Sequence, residues 1–414
     1  MPRELKESGI EWVGEIPKNW KVMQNKYIMT KYKYVKPKYY GEDILSLTIN
    51  GVIVRDLNAG GKMPSSFNGY QTLYPDNLLM CLFDYDVTPR CIGLIKNNGV
   101  TSPAYSQFVM KDGNVSSYYY YYYLMIDHTK ELLHLAKNLR HSFTEEQLGE
   151  INAPVPPHYE QIQIAEYLDS KCAEIDALHT DIEEQIKTLE EYKRSVITET
   201  VTKGLNPEAE MKESGIKWVG YIPVDWKIEK GKYCLQYLQK PTKPDDEVIT
   251  CFRDGEVTLR KNRREEGFTI SLQEIGYQGI DKGDLIVHGM DGFAGAIGIS
   301  DSRGKASPVL NVLETKHNKR YIMYYLRNMA YNGVFIALAT GIRVRTCDTN
   351  WGKLRELPYI LPPKEEQDSI VEYIDNKLFE VNSIIKEKQK QLEVLDEYKK
   401  SLIYEYVTGK KEVL

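Results

Sequence analysis

The sequence predicts an α+β protein: two globular domains joined by two long helices that form an antiparallel coiled coil, arranged as a pseudo-twofold tandem repeat. Three observations predict it. A sixteen-residue motif returns at a fixed offset, two long stretches without proline or glycine carry heptad apolar spacing, and two intervening stretches of equal length share little sequence. The division read from the chain is 1–155 for the first globular domain with its frame motif, 156–204 for the first long helix, 205–361 for the second domain with the repeated motif, and 362–414 for the second helix.

The motif is KESGIEWVGEIPKNWK at Lys6–Lys21, and it returns as KESGIKWVGYIPVDWK at Lys212–Lys227. Twelve of sixteen positions are identical at an offset of 206, among them Trp12/Trp218, Gly14/Gly220, Pro17/Pro223 and Trp20/Trp226. Further matches keep that offset: PPHYEQIQIAEYLD from Pro156 with PPKEEQDSIVEYID from Pro362, and EYKRSVITETVT from Glu191 with EYKKSLIYEYVT from Glu397. The interiors 21–155 and 227–361 keep only sparse echoes, such as GVTSPAY near Thr101 and GKASPVL near Ser307. A retained frame around divergent interiors is expected where the frame assembles and each interior recognises something different.

Pro157 and Pro363 suit helix starts, with acidic residues in the following turn. No proline or glycine follows until about Val201 and Val407, which predicts helices of roughly 40 residues, about 60 Å at 1.5 Å per residue. In the first, Leu168, Cys172, Ile175, Ile182, Ile186, Leu189 and Val196 occupy a heptad seam interrupted by His179 and Lys193. In the second the seam is Ile374, Leu378, Val381, Ile385, Leu392, Leu395 and Leu402, interrupted by Lys388 and Lys399. The alternative is that each helix packs against its own domain, but a rod of that length outreaches a compact domain of 135 residues. Pairing the helices with each other uses both seams, and the repeat favours the antiparallel arrangement.

A net charge of −5 hides a pattern. Residues 21–155 carry +2 and 227–361 carry +5, whereas 156–226 carry −8 and 362–414 carry −3. Acidic helical stretches thus alternate with mildly basic interiors, and attraction to phosphate depends on the local face. In the first interior Lys26, Lys31, Lys33, Lys36 and Lys38 alternate with tyrosines including Tyr34. Lysine contacts phosphate, and tyrosine adds phosphate hydrogen bonds or apolar contact to base edges; a half-buried strand has the same pattern. In the second interior Arg253, Arg260, Lys261, Arg263 and Arg264 cluster, and Arg343 and Arg345 follow a Gly341 turn. Arginine reads guanine bidentately in the major groove, although a solvated face would carry the same run. These thirteen residues are the candidate DNA contacts. The six tyrosines Tyr118–Tyr123 read as a wall facing core and interface rather than a base-stacking shelf.

Catalytic signatures are sparse. Gly298 to Gly304-Lys305 lacks the spacing and the following Ser/Thr of a phosphate loop, and VPPHYE at Val155 has lost the polar residue of a methyltransferase-type motif. Pro244-Asp245 with Glu314-Thr315-Lys316 makes only a loose nuclease-like set. Six cysteines without a CxxC pair and seven scattered histidines argue against a zinc site or disulfide framework. Apolar runs are too short for a membrane span and the N-terminus lacks a signal pattern, so the expected location is the cytoplasm.

The frame GIEWVGEIPKNW, the stretch TKGLNPEAEMKESGIKWVG and the PPHYEQ and PPKEEQ helix openings resemble the specificity (S) subunit of type I restriction-modification systems, over essentially the whole chain. The resemblance implies that each interior is a target recognition domain for one half of a split, asymmetric double-stranded DNA target. It implies that the helices set the gap and dock two methyltransferase (M) subunits, with restriction (R) subunits completing an ATP-dependent nuclease and adenine methyltransferase complex. S-adenosylmethionine, ATP and magnesium then belong to the partners; the chain itself carries no cofactor and is not an enzyme alone. The competing readings are a stand-alone DNA-modifying enzyme and a coiled-coil adaptor that binds only proteins.

Overall fold

A computed structural model describes residues 3–58, 64–136, 141–263, 274–338 and 349–413. The architecture is α+β. The chain divides into two compact units, Met1–Ile182 with Gln389–Leu414, and Glu183–Lys388. The division falls inside the long helices, because each unit holds the halves of both helices that pack against its own globular part.

Those helices are His158–Lys203, 46 residues, and Lys364–Val407, 44 residues. Each starts behind a Pro-Pro pair and ends at a glycine in the left-handed region, Gly204 at φ +78° and Gly409 at φ +71°, where a side chain would be strained. Within the first unit the halves run antiparallel: Tyr167 lies 4.4 Å from Tyr406 between ring centres, and the Lys399 ammonium reaches Asp176 at 2.5 Å. Within the second, Lys388 reaches Gln185. Leu168, Ile175, Val196, Ile374, Val381 and Leu402 are buried, while Ile182, Leu189, Leu392 and Leu395 are half-buried. The polar residues that interrupt the seams are used as well. Lys388 and Lys399 make the cross-helix contacts just given, and His179 lies 3.9 Å from Asp396.

The first globular part opens with the antiparallel hairpin Leu5–Glu7/Glu15–Pro17. Strand Lys21–Gln24 then pairs with Asn152–Val155, so the interior begins and ends on the same two-stranded ribbon. Between them lies a four-stranded antiparallel sheet in the order Met29–Tyr32, Ser106–Met110, Leu78–Met80, Ile92–Leu94. The strand Leu78–Met80 is buried throughout, and its period of two explains why. Leu78 and Met80 face the core formed with the helix Ser116–Thr129, whereas Leu79 packs with Leu45, Leu73 and Ile95 under two small ribbons. Those ribbons are Leu45–Thr48/Gly51–Val54 and Gln71–Leu73/Gly99–Thr101.

The second unit repeats this plan strand for strand. Its hairpin is Met211–Glu213/Tyr221–Pro223, and its closing ribbon is Lys227–Lys230/Pro358–Leu361. Its sheet runs Leu235–Leu238, Leu310–Thr315, Leu285–His288, Ile297–Ile299. Its small ribbons are Ile249–Cys251/Val257–Leu259 and Gln278–Ile280/Gly304–Ala306. The same two-sided strand recurs: Leu285 and Val287 face the core of helix Lys319–Tyr331, and Ile286 faces the ribbons. The sparse sequence echoes at Gly99–Thr101 and Gly304–Ala306 are equivalent ribbon strands. Two interiors with little common sequence therefore share one topology, because alternation of apolar residues was retained while their identities changed.

Candidate nucleic-acid interface

The frame motif holds each globular part to the long helices. Trp20 is fully buried, and its Nε1–H donates to the Glu160 carboxylate at 2.9 Å, in the first turn of one long helix. Asn19 donates to the same carboxylate at 3.0 Å, and Arg3 pairs with it. The other edge of the indole covers Gly409 at the end of the other long helix, where a Cβ would lie 2.7 Å from the Trp20 ring and 2.6 Å from Pro17. In the second unit Trp226 donates to Glu366 at 2.9 Å and covers Gly204. One tryptophan thus joins the head of one helix to the tail of the other, and does so twice. The Arg3 guanidinium and the indole and amide donors hold the Glu160 carboxyl below its ordinary range despite burial.

The tyrosine-rich helices make the next connection. Tyr118, Tyr119, Tyr121, Tyr122 and Tyr123 are buried. The Tyr118 hydroxyl donates to the Val407 carbonyl at 2.8 Å, and that of Tyr121 to Asp169 at 2.7 Å. In the second unit Tyr321 donates to the Val201 carbonyl at 3.3 Å and Tyr324 to Asp375 at 2.5 Å. Burial, with the Asp375 carboxylate beside it, pushes the Tyr324 phenol up to about 12. At the helix starts, the Val115 N–H donates to Gln161 Oε1 at 2.8 Å and the Asn318 N–H to Gln367 Oε1 at 3.0 Å. The tyrosines are a structural wall: their rings lie in the core, the hydroxyls of Tyr118, Tyr121, Tyr321 and Tyr324 reach the long helices, and those of Tyr119, Tyr122 and Tyr325 reach the closing ribbons.

What remains outward is the chemistry of the interiors. In the first unit Lys26 sits on the one-turn helix Asn25–Ile28 with its ammonium 5.3 Å from the Tyr27 ring centre. Lys31 lies on the sheet's edge strand and pairs with Glu145. Beyond that strand Lys33 donates to the Pro103 carbonyl at 3.1 Å, and Lys38 lies over Tyr40 at 5.7 Å. Lys36 pairs with Glu42 at 2.5 Å, and this ammonium with the Tyr40 N–H holds the Glu42 carboxyl at about 2. Tyr34 is exposed. Tyr32 packs edge-on against Tyr74 at 5.6 Å; the Tyr74 hydroxyl beside it raises its pKa. Tyr27, Tyr32 and Tyr74 join this surface; the Lys/Tyr alternation contained the first two, while Tyr74 comes from a distant segment.

In the second unit the cations gather on a different element, the ribbon Ile249–Cys251/Val257–Leu259 and the turn after it. Arg253 pairs with Asp291 at 2.8 Å and Lys261 with Glu247 at 2.6 Å. Arg263 reaches Asp254 at 2.6 Å and Glu256 at 3.1 Å while lying 4.2 Å over Phe252. Arg260 Nε lies 3.4 Å from Thr250 Oγ1. Arg264, Arg343 and Arg345 lie outside the described residues. Five of the nine described candidate cations, Lys31, Lys36, Arg253, Lys261 and Arg263, therefore already hold a carboxylate of their own unit, which orients them and lowers their net charge. Behind this surface Arg303 reaches Asp246 at 2.8 Å and Asp281 at 2.6 Å, and Lys240 reaches Asp281 at 2.8 Å and Asp284 at 2.7 Å. Lys240 and Arg303 together hold the Asp281 carboxyl at about 2. Sequence spacing gave no signal for this network, since its members come from four separate segments.

Among the described residues no group of three or more His, Cys, Asp or Glu side chains is placed to hold a metal, and no helix is long and apolar enough to cross a membrane. The family model "Type I restriction modification DNA specificity domain" matches residues 86–188, from just before strand Ile92–Leu94 into the first long helix. A Methanocaldococcus jannaschii protein assigned as the MjaX type I restriction enzyme specificity subunit is 26% identical over 284 residues. That match covers 66% of this chain and 62% of the relative, less than two thirds of its length. The fold resembles a solved chain from work on complex assembly and conformational transition of the type I R-M system, with a TM-score of 0.69 at 12% identity, covering 96% of this chain and 99% of that one. It also resembles the HsdS subunit from Thermoanaerobacter tengcongensis, with a TM-score of 0.50 at 12% identity over 96% and 98% of the two chains. At 12% identity these likenesses show a shared fold, α+β units carried on long helices. This chain is thus similar, over part of its sequence and in its fold, to specificity subunits of type I restriction-modification systems.

Proposed function

We propose that the chain is the DNA-recognition subunit of a type I restriction-modification complex, with 1–155 and 205–361 as target recognition domains and 156–204 and 362–414 as spacer helices. One observation carries this reading: two units of identical topology present different outward chemistry on different elements, a Lys/Tyr strand edge in one and an arginine ribbon in the other. Each domain then reads its own half of a bipartite double-stranded target. Phosphate contacts position the duplex and base edges in the major groove specify it; for the two kinds of contact together Lys26, Lys31, Lys33, Lys36, Lys38, Tyr34, Arg253, Arg260, Lys261, Arg263, Arg264, Arg343 and Arg345 are the proposed residues. The helices set the unread gap, with Leu168, Ile175, Ile182, Leu189, Val196, Ile374, Val381, Leu392, Leu395 and Leu402 as the pairing residues.

Two methyltransferase subunits dock on the helices. A repeated surface supports that stoichiometry. Lys171 pairs with Glu174 at 2.8 Å near Tyr167 and Tyr398, and at the 206-residue offset Lys377 pairs with Glu380 at 2.8 Å near Tyr373 and Tyr192. The same patch presented twice, on helices of the frame, suits two copies of one partner. Methyl transfer and ATP-dependent cleavage, with their cofactors, reside in the methyltransferase and restriction subunits, and the complex works in the cytoplasm. The test is to co-express the chain with its methyltransferase partner and map modified bases across a genome. A split motif with a constant gap is expected; the absence of any motif overturns the reading.

A further inference from the structure

We propose that Lys26–Tyr27 and Lys232–Tyr233 form one sequence-independent contact to the DNA phosphate backbone in each unit. This rests on the DNA-reading role proposed above. The pairs are 206 residues apart, inside interiors that otherwise diverge. Both sit on a one-turn helix, Asn25–Ile28 and Gly231–Cys234, between the closing ribbon and the edge strand of the sheet. Both lysines lie over the following tyrosine ring, at 5.3 and 5.2 Å, and the tyrosines are 55% and 65% exposed.

The pattern of change around them is the reverse of what packing produces. The buried residues of each turn differ, Asn25 against Gly231 and Ile28 against Cys234, while the exposed Lys and Tyr are the same. Packing constrains buried positions and frees exposed ones, so identity confined to exposed side chains points to something both units touch. Base sequence is excluded as that common element, because the base-reading surfaces differ. The local charge selects a polyanion. Among the described residues Lys26 makes no ion pair, and the Lys111 ammonium bonds the Lys26 carbonyl beside it at 2.8 Å. In the second unit Lys230, Lys232 and Arg355 share the single carboxylate of Glu356, at 3.2, 3.8 and 3.6 Å. An ammonium held against a ring with a phenol hydroxyl alongside offers a phosphate one charge and one hydrogen-bond donor.

The experiment uses the chain assembled with its methyltransferase partner and measures affinity for a target duplex and an unrelated duplex across a salt series. The variants are K26A/Y27A, K232A/Y233A and their combination, with Y27F and Y233F as conservative controls. Loss of each pair is expected to weaken both duplexes by the same factor, roughly 5- to 10-fold at moderate salt, and to reduce the salt slope by about one unit per pair. An unchanged slope and affinity overturns the proposal. So does weakening confined to the target duplex, which would make these residues base readers, or loss of the methyltransferase subunit in sedimentation, which would make them a protein contact. If the unaltered complex prefers no duplex over another, the functional reading fails instead, so the two failures are distinguishable.

Discussion

Trp20 and Trp226 concentrate the assembly of this protein at single residues. Each is buried and gives its only ring donor to a carboxylate, and each roofs a left-handed glycine at another helix's end. Trp20→Ala removes a large buried ring and leaves the Glu160 carboxylate short of a donor, and is expected to destabilise by about 3–5 kcal/mol. Trp226→Ala should cost a similar amount, since its bond to Glu366 has the same 2.9 Å length. Urea unfolding of both variants checks this; a loss below about 1 kcal/mol in either would show that the clamp is not shared. Glu160→Gln keeps an acceptor for the indole and should cost less than Glu160→Ala in the same assay. The tryptophans were legible in the sequence as members of a repeated motif. Their partners were not, because Glu160 and Gly409 lie 140 and 389 residues away in the chain.

At the scale of elements, the tyrosine helices and the charged network hold sheet, ribbons and long helices together. Tyr121→Phe and Tyr324→Phe keep the buried rings and delete hydroxyl bonds to Asp169 and Asp375. A hydrogen bond to a charged acceptor contributes about 1.5–3 kcal/mol, so losses of that order are expected in chemical denaturation. The network around Asp281 predicts an acid response. Its carboxyl is depressed to about 2, chiefly by Lys240 and then Arg303, below the usual aspartate value. Its contribution is therefore present above the unfolded-state pKa near 4 and is lost as pH falls through about 2. Hydrogen exchange between pH 5 and 2 should show the ribbon Gln278–Ile280/Gly304–Ala306 opening before the core strand Leu285–His288. Simultaneous opening of both would rule out the network as the ribbon's anchor. Of these strands the sequence offered only one, as the alternative reading of the Lys/Tyr alternation from Lys26 to Tyr40. It did not foretell that one strand of each sheet serves two cores, because burial on a second face depends on ribbons folded over from elsewhere.

Across the whole molecule, the frame is the constant and the interior the variable. Both interiors begin and end on one closing ribbon, Lys21–Gln24/Asn152–Val155 and Lys227–Lys230/Pro358–Leu361. Exchanging residues 21–155 with 227–361 is therefore expected to leave a folded chain whose two half-sites swap order in a modification map. Retention of the original order would separate recognition from the interiors. Inserting one heptad into both long helices should change the length of the unread gap while both half-sites persist; altered half-sites would refute that division of labour.

The sequence by itself determined the duplication, both long helices with their seams, and the net positive charge of the interiors against the net negative charge of the helical stretches. All of these are periodic or local, written at spacings of 7 or 206 residues that need no knowledge of distant contacts. Tertiary structure alone decided that divergent interiors share one topology. It also decided that the two units present their cations on different elements, and that five of the nine described ones are already held by nearby carboxylates. The physical reason is that an ion pair or a two-faced strand is specified by partners brought together in space, such as Lys31 with Glu145 and Arg303 with Asp246. A cation's charge is a property of its residue, but whether that charge is available to a partner is a property of the fold.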